Sequence, residues 1–207
     1  MFALVESGSI TQFPKGNKGI TIGDNQYPQT IYTLWTEAER NAIGVYTVEI
    51  DETNRKDEKF YINTNITYAF GSGKVTGSYG TATAKAIADS LYTSQDKTDG
   101  LIPSDKDVGD VKVQGLKSIY KNQFNAQAAG LLAKTDWYVI KATDVTSYSV
   151  PSNITTYRAA VRTKVNAMET SIDGCSDVAA LITLLTYTTD SEGVTSRPLG
   201  EFPDEVV

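Results

Sequence analysis

Residues 60–70 read Phe60-Tyr61-Ile62-Asn63-Thr64-Asn65-Ile66-Thr67-Tyr68-Ala69-Phe70. Phe60, Ile62, Thr64, Ile66, Tyr68 and Phe70 occupy every second position, with Asn63, Asn65 and Thr67 between them. Side chains alternate across a strand, so a period of two sends the first set to one face and the polar set to the other. The pattern predicts one strand through residues 60–70 in an antiparallel sheet, with one face covered and one polar. Gly71 and Gly73 predict a hairpin, and residues 74–79 return as a further strand.

Upstream, Tyr46, Val48 and Ile50 alternate with Thr47 and Glu49, and residues 51–58 form a polar turn. Thr36-Glu37-Ala38-Glu39 has capping-box spacing: the Thr36 hydroxyl accepts from the Glu39 N–H while the Glu39 carboxylate reaches back. Gly44 stops this short helix by taking the left-handed conformation. The apolar pieces at residues 1–5, 20–22 and 31–35 are broken by Gly8, Pro14, Gly16, Gly19, Gly23 and Pro28. That punctuation predicts short strands and turns and argues against a helix there.

Downstream the period lengthens. Ala84, Ile87, Ala88 and Leu91 predict a helix over residues 81–92, followed by an acidic linker over residues 93–110. Leu116, Ile119, Tyr120, Phe124, Ala128, Leu131 and Leu132 step by three and four along a helix of about five turns. Thr135-Asp136 closes it, and Trp137 to Ile140 continues as a short helix or extended piece. Pro151 and Ser152 start another helix, with Ile154, Tyr157, Val161, Val165, Met168 and Ile172 on its apolar stripe. Gly174 ends it, and Ser176 caps a last segment carrying Val178, Leu181, Ile182 and Leu185. The final twenty residues read as polar and extended. The expected fold is α+β: a small antiparallel β N-terminal domain over residues 1–80, a helical region over 81–190, and an extended tail over 191–207.

The chain has 207 residues, enough for one sizeable domain or two small ones, and 19 basic against 25 acidic residues give a net charge of −6. A nucleic-acid partner is not expected from that balance, because a duplex binder needs a basic footprint. The chain has no histidine and one cysteine, Cys175. Ser-His-Asp and Cys-His catalysis, imidazole metal sites and an internal disulfide therefore drop out. No apolar run approaches the ~20 residues of a membrane span, and no leader is expected at the N-terminus.

The chemistry-bearing candidates are few. The aspartates of the linker (Asp96, Asp99, Asp105, Asp107, Asp110) lack calcium-loop spacing and read as a solvated loop. Gly71-Ser72-Gly73-Lys74 lacks the spacing of a phosphate loop and reads as a hairpin turn. Glu37, Glu39, Glu49, Glu52 and Glu58 sit in charged surroundings where nothing would raise a carboxyl pKa for glycosidase work. Asp136, Trp137 and Tyr138 suit either a sugar platform or a helix cap beside a core tryptophan. Arg158 and Arg162, one helical turn apart, either clamp a neighbour's carboxylate or line a solvated face. No enzyme activity, cofactor or metal is expected; binding and assembly are.

One resemblance adds to this. Gly115-Leu116-Lys117, then Ala129-Gly130-Leu131-Leu132-Ala133-Lys134-Thr135-Asp136-Trp137-Tyr138-Val139-Ile140, are followed by Pro151, by Tyr157-Arg158-Ala159-Ala160-Val161-Arg162 and by Phe202-Pro203-Asp204-Glu205-Val206. In that order, with Met1-Phe2-Ala3-Leu4-Val5-Glu6, Tyr27-Pro28-Gln29-Thr30 and Ala42-Ile43-Gly44-Val45-Tyr46 at the start, the chain resembles tail-fibre and baseplate-type virion proteins of tailed bacteriophages. It departs from them in lacking a terminal Trp-Pro and in the long segment over residues 170–197. The resemblance implies a non-enzymatic structural protein in the virion tail, made in the bacterial cytoplasm. Its implied partners are other tail or baseplate proteins and its own copies, with a trimer favoured. A tail-fibre assembly chaperone and a module binding a host surface glycan are the alternatives. The expected contact residues are Phe60, Ile62, Ile66 and Tyr68 toward a partner ring. Leu116, Ile119, Phe124, Leu131, Trp137, Arg158 and Arg162 are expected to meet neighbouring copies.

Overall fold

Phe2-Ala3-Leu4-Val5 offers an apolar side chain to both sides of its strand, and the first half of the fold is built on both. The computed structural model describes residues 1–206, and the chain divides into two units, one ending at Thr83 and one beginning at Ala84. In the first unit, β1 (Phe2–Glu6) turns through Ser7 and Gly8 into β2 (Ser9–Gln12). A small ladder of β3 (Ile20–Ile22) and β4 (Asn25–Tyr27) follows, then a single turn, α1 (Ile31–Leu34), and α2 (Glu37–Ala42). Next come β5 (Val45–Asp51), β6 (Tyr61–Ile62), β7 (Thr67–Gly71) and β8 (Lys74–Ser78), and β9 (Thr83–Ala84) falls at the boundary.

The main sheet has the order β2-β1-β5-β8-β7. It is mixed, which corrects the antiparallel expectation: β8 runs parallel to β5, with Val48 opposite Val75. The chain passes β5, makes β7 at the edge, and returns through the Ser72-Gly73 turn into the slot between them. Both faces are covered. Leu4 and Val45 pack with Ile20, Ile31 and Tyr32 on one side, while Ala3, Val5, Val48 and Val75 gather Ile10, Tyr46 and Phe70 on the other. Ile10 and Phe70 come from opposite edges, and β2 and β7 lie close together, so the sheet curls about this second face.

The Thr36 capping box forms as the spacing predicts. Thr36 Oγ1 accepts from the Glu39 N–H at 3.3 Å, and Glu39 Oε2 accepts from the Thr36 N–H at 2.8 Å. Gly44 follows at φ 81. Residues 31–34, expected as extended, are helical instead. Pro28, Gln29 and Thr30 present carbonyls to the N–H groups of Ile31, Tyr32 and Thr33, and the turn drives Ile31 and Tyr32 into the core.

The single strand expected over residues 60–70 is broken in two. β6 pairs with β9 and β7 with β8, so the two pieces serve different ladders. Between them Asn63 turns its amide to the loop, donating to Lys56 O at 2.8 Å and accepting from Lys56 N at 2.9 Å. Thr64 Oγ1 accepts from Gly80 N at 2.7 Å. Polar side chains that hydrogen-bond backbone in this way compete with a ladder. Alternation survives only from Ile66 onward.

The second unit opens with β10 (Ser90–Leu91), α3 (Ser94–Thr98) and β11 (Val111–Val113). The long helices α4 (Leu116–Ala133), α5 (Asp136–Asp144), α6 (Ser152–Asp173) and α7 (Val178–Leu185) follow, then a small hairpin of β12 (Thr188–Thr189) and β13 (Thr195–Ser196). Residues 81–92 are not the expected helix. The carbonyls of Ala86 and Ile87 are taken by the N–H groups of Leu116 and Lys117, and Asp89 accepts from Gly115 N at 2.7 Å and Ser118 Oγ at 2.8 Å. The segment thus supplies the acceptors that the first turn of α4 lacks.

Antiparallel packing of α4 on α6 carries the core. Leu116, Phe124 and Ala128 are buried on α4, and Ile154, Tyr157, Val161, Val165, Met168 and Ile172 on α6. Lys121–Asp173 at 2.9 Å and Asn125–Glu169 at 2.6 Å zip one margin. Asp177, not Ser176, caps α7, accepting from Ala180 N at 2.8 Å. The tail is not a free extended arm. Leu199 is buried, Lys164 Nζ donates to its carbonyl at 2.8 Å, and the Arg197 guanidinium lies 4.9 Å from the Tyr187 ring and 5.3 Å from that of Phe124.

The acidic linker contains a second capping box. Asp96 accepts from the Thr93 N–H and hydroxyl and from the Lys112 ammonium, which ties α3 to β11. The Lys112 hydrogen bond, then those from Thr93, hold the Asp96 carboxyl at about 2, below its ordinary 3.8. A depressed folded-state value stabilises the fold above the unfolded carboxyl's pKa, and that contribution is lost as pH falls toward the folded value. Wild-type protein is therefore expected to lose melting temperature between about pH 4 and about pH 2 more steeply than Asp96→Asn. Parallel melting curves for the two proteins would contradict this role for Asp96.

Candidate interaction surface

The residues expected to make contacts divide sharply by exposure. Phe60, Leu116, Phe124 and Arg158 are buried inside the chain and are not available to a partner as they stand. Ile66 and Leu131 are half-buried, and Ile62, Tyr68, Ile119, Trp137 and Arg162 are exposed. Tyr68 lies against Gly77, its partner across the β7–β8 ladder, and its ring stacks on Phe13 at 4.7 Å.

Arg158 shows why the helical alternation misled. Both arginines step along α6, but Arg158 turns inward at the α4–α5 corner, where Nη1 donates to Leu132 O at 2.8 Å and to Thr135 Oγ1 at 2.7 Å. Its Nη2 pairs with Asp136 Oδ1 at 2.8 Å. An arginine fork can hold three acceptors on two elements at once, which a point-charge lysine cannot. Asp136 is thereby the inward partner of this corner, not a cap; Thr135 precedes α5 without a side-chain cap.

None of the nine residues of α5 is buried. Trp137 is 51% exposed and Ile140 60%, and Val139 and, just past the helix, Val145 are exposed too. Trp137 stacks on Tyr138 at 3.8 Å, and the Lys141 ammonium sits 4.4 Å from the Tyr148 ring. Trp137 is not the core residue that the helix-cap reading required. Trp137 and Ile140, three residues apart, lie on the same side of the helix and are both exposed.

Four of the five glutamates weighed for glycosidase work have structural partners, Glu58 sharing Arg55 with Glu52. Glu39 closes its capping box, Glu49 pairs with Lys74 at 2.8 Å, and Glu52 pairs with Arg55 at 3.1 Å. Asp89 is held below the usual carboxylate range by the Gly115 N–H, then by Ser118. Among the described residues no group of three or more Cys, Asp or Glu side chains is placed to hold a metal ion. Ser72 and Gly73 form the β7–β8 turn with φ of 52 and 74, and no helix of the chain is long and apolar enough to cross a membrane among the described residues. No protein-family model, no curated protein and no solved structure matches this chain.

Proposed function

We propose that this chain is a non-enzymatic structural component of a tailed-phage virion, a tail-fibre, fibre-attachment or baseplate protein that works by protein–protein assembly. The observation that carries the assembly reading is α5, a helix with no buried residue whose Trp137, Val139 and Ile140 face solvent. The order of motifs from Leu131 through Trp137, Arg158 and Phe202 supplies the phage context. Aromatic residues on an exposed patch are the usual centre of an interface, and in closed oligomers the same patch recurs on every copy.

Two measurements test the reading. In purified virions, quantitative mass spectrometry is expected to find the chain in fixed proportion to the other tail proteins; its absence from mature particles would mean an assembly chaperone instead. In solution, sedimentation is expected to show concentration-dependent self-association that Trp137→Ala with Ile140→Ala abolishes. The same double variant costs the isolated chain no more than about 1 kcal/mol of stability, because both side chains are half or more exposed and the main loss is the Trp137–Tyr138 ring contact. Unaltered association in that variant would remove α5 from the interface.

A further inference from the structure

We propose that the loop joining β2 to β3 is a binding site for a saccharide carrying an anionic group, carboxylate or phosphate. Residues 12–21 curl around a cavity of about 620 Å³, a size that suits a small ligand. The loop is held from behind. Pro14 is buried, and Gly16 takes φ 73 so close to the Phe2 ring that a Cβ would lie 3.3 Å from it. Gly19 lies against β4, where a Cβ would fall 2.4 Å from Tyr27 O. Between these anchors Lys15, Asn17 and Lys18 are exposed.

The charge of the loop is opposite to that of the chain. No carboxylate occurs in the sequence between Glu6 and Asp24, against a net charge of −6 overall. Neither Lys15 nor Lys18 has an ion pair or hydrogen bond among the described residues. Phe13, 41% exposed and braced by Tyr68, adds an aromatic wall, and Gln12 and Asn17 add amides. A sugar ring offers its C–H face to an aromatic ring, its hydroxyls to amides and its acid group to ammonium ions. A simple anion would use only the lysines, and a nucleic acid would need more cations than two. This site belongs to the first unit and stands whether or not α5 is an interface.

The test is calorimetric titration of the full chain with tetragalacturonic acid, its neutral methyl ester, glucose 6-phosphate, inorganic phosphate and a thymidine oligomer. At least one of the two charged saccharides is expected to bind saturably, and which one identifies the acid group. The methyl ester and inorganic phosphate are each expected to bind at least about tenfold more weakly than the charged saccharide that binds. Lys15→Ala with Lys18→Ala is expected to weaken that binding about tenfold or more, and raising ionic strength to weaken it further. Phe13→Ala weakens saccharide binding and leaves inorganic phosphate unchanged. Melting curves of the variants check that the fold persists; Lys15→Gln with Lys18→Gln replaces any variant that does not fold. No saturable binding of either charged saccharide would overturn the proposal. So would equal binding of the methyl ester, phosphate binding as tightly as the saccharide, or binding of the thymidine oligomer alone.

Discussion

Gly115→Ala is expected to cost about 3 kcal/mol or more, because the added methyl has nowhere to go. An ideal Cβ at Gly115 would lie 2.3 Å from both the carbonyl carbon and the oxygen of Ala88 and 2.7 Å from Ile87 O. These are backbone atoms, and they cannot swing aside as a side-chain tip would. Their segment is held to α4 on both sides, at Ala86 and Ile87 by the Leu116 and Lys117 N–H groups and at Asp89 by Gly115 and Ser118, so moving it strips acceptors from the helix start. The Gly115 dihedrals, φ −81 and ψ 172, are ordinary for any residue, so the cost is close approach and not backbone strain. Gly130, inside the same helix with nothing near its missing Cβ, is the matched control. Gly130→Ala is expected to stabilise by about 0.5–1 kcal/mol through helix propensity. Urea unfolding followed by Trp137 fluorescence in a Trp35→Phe background measures both, since Trp35, the other tryptophan, belongs to the first unit. Equal midpoints for Gly115→Ala and wild type would show that the crossing of residues 86–89 over α4 is wrong.

Arg158→Ala is expected to destabilise the second unit by about 2–3 kcal/mol, and Arg162→Ala by no more than about 0.5 kcal/mol. Arg158 is 9% exposed, and truncating it removes the guanidinium from Leu132 O and Thr135 Oγ1 and its packing from the corner. Asp136 is about half exposed, so water takes over its charge and the loss stays below that of a fully buried pair. Arg158→Lys recovers little, because an ammonium cannot reproduce the fork. Arg162 is exposed, and its contact to Arg158 O is long, at 3.5 Å. Urea midpoints of the three variants decide the matter; equal losses at 158 and 162 would return Arg158 to the surface.

Much of the fold is legible in the sequence wherever one physical signal governs a segment. The Thr36 box, the Gly44 stop, the Ser72-Gly73 turn and the stripes of α4 and α6 are local or periodic, and the chain folds as they indicate. The misreadings share another cause. Residues 81–92 have helical spacing, but two of their carbonyls are claimed by the start of a helix 30 residues further on, as Leu116 N to Ala86 O and Lys117 N to Ile87 O show. Asn63 and Thr64 fit an alternating pattern, yet their side chains serve loops at Lys56 and Gly80. Such long-range demands leave no trace in a local period. For the surface residues the sequence is weaker still. A stripe cannot tell the buried Phe124 from the exposed Ile119, because the outcome depends on which helix face α6 covers.

The curl of the main sheet bears on how copies of this chain can be crowded together. β2 and β7 lie close together, and Phe13 meets Tyr68 across the gap, yet the two strands do not pair and most of their residues are exposed. Naked strand margins are what let crowded chains knit into fibrils. Both rims of this five-stranded sheet stay open to a further strand, and the curl alone does not close it.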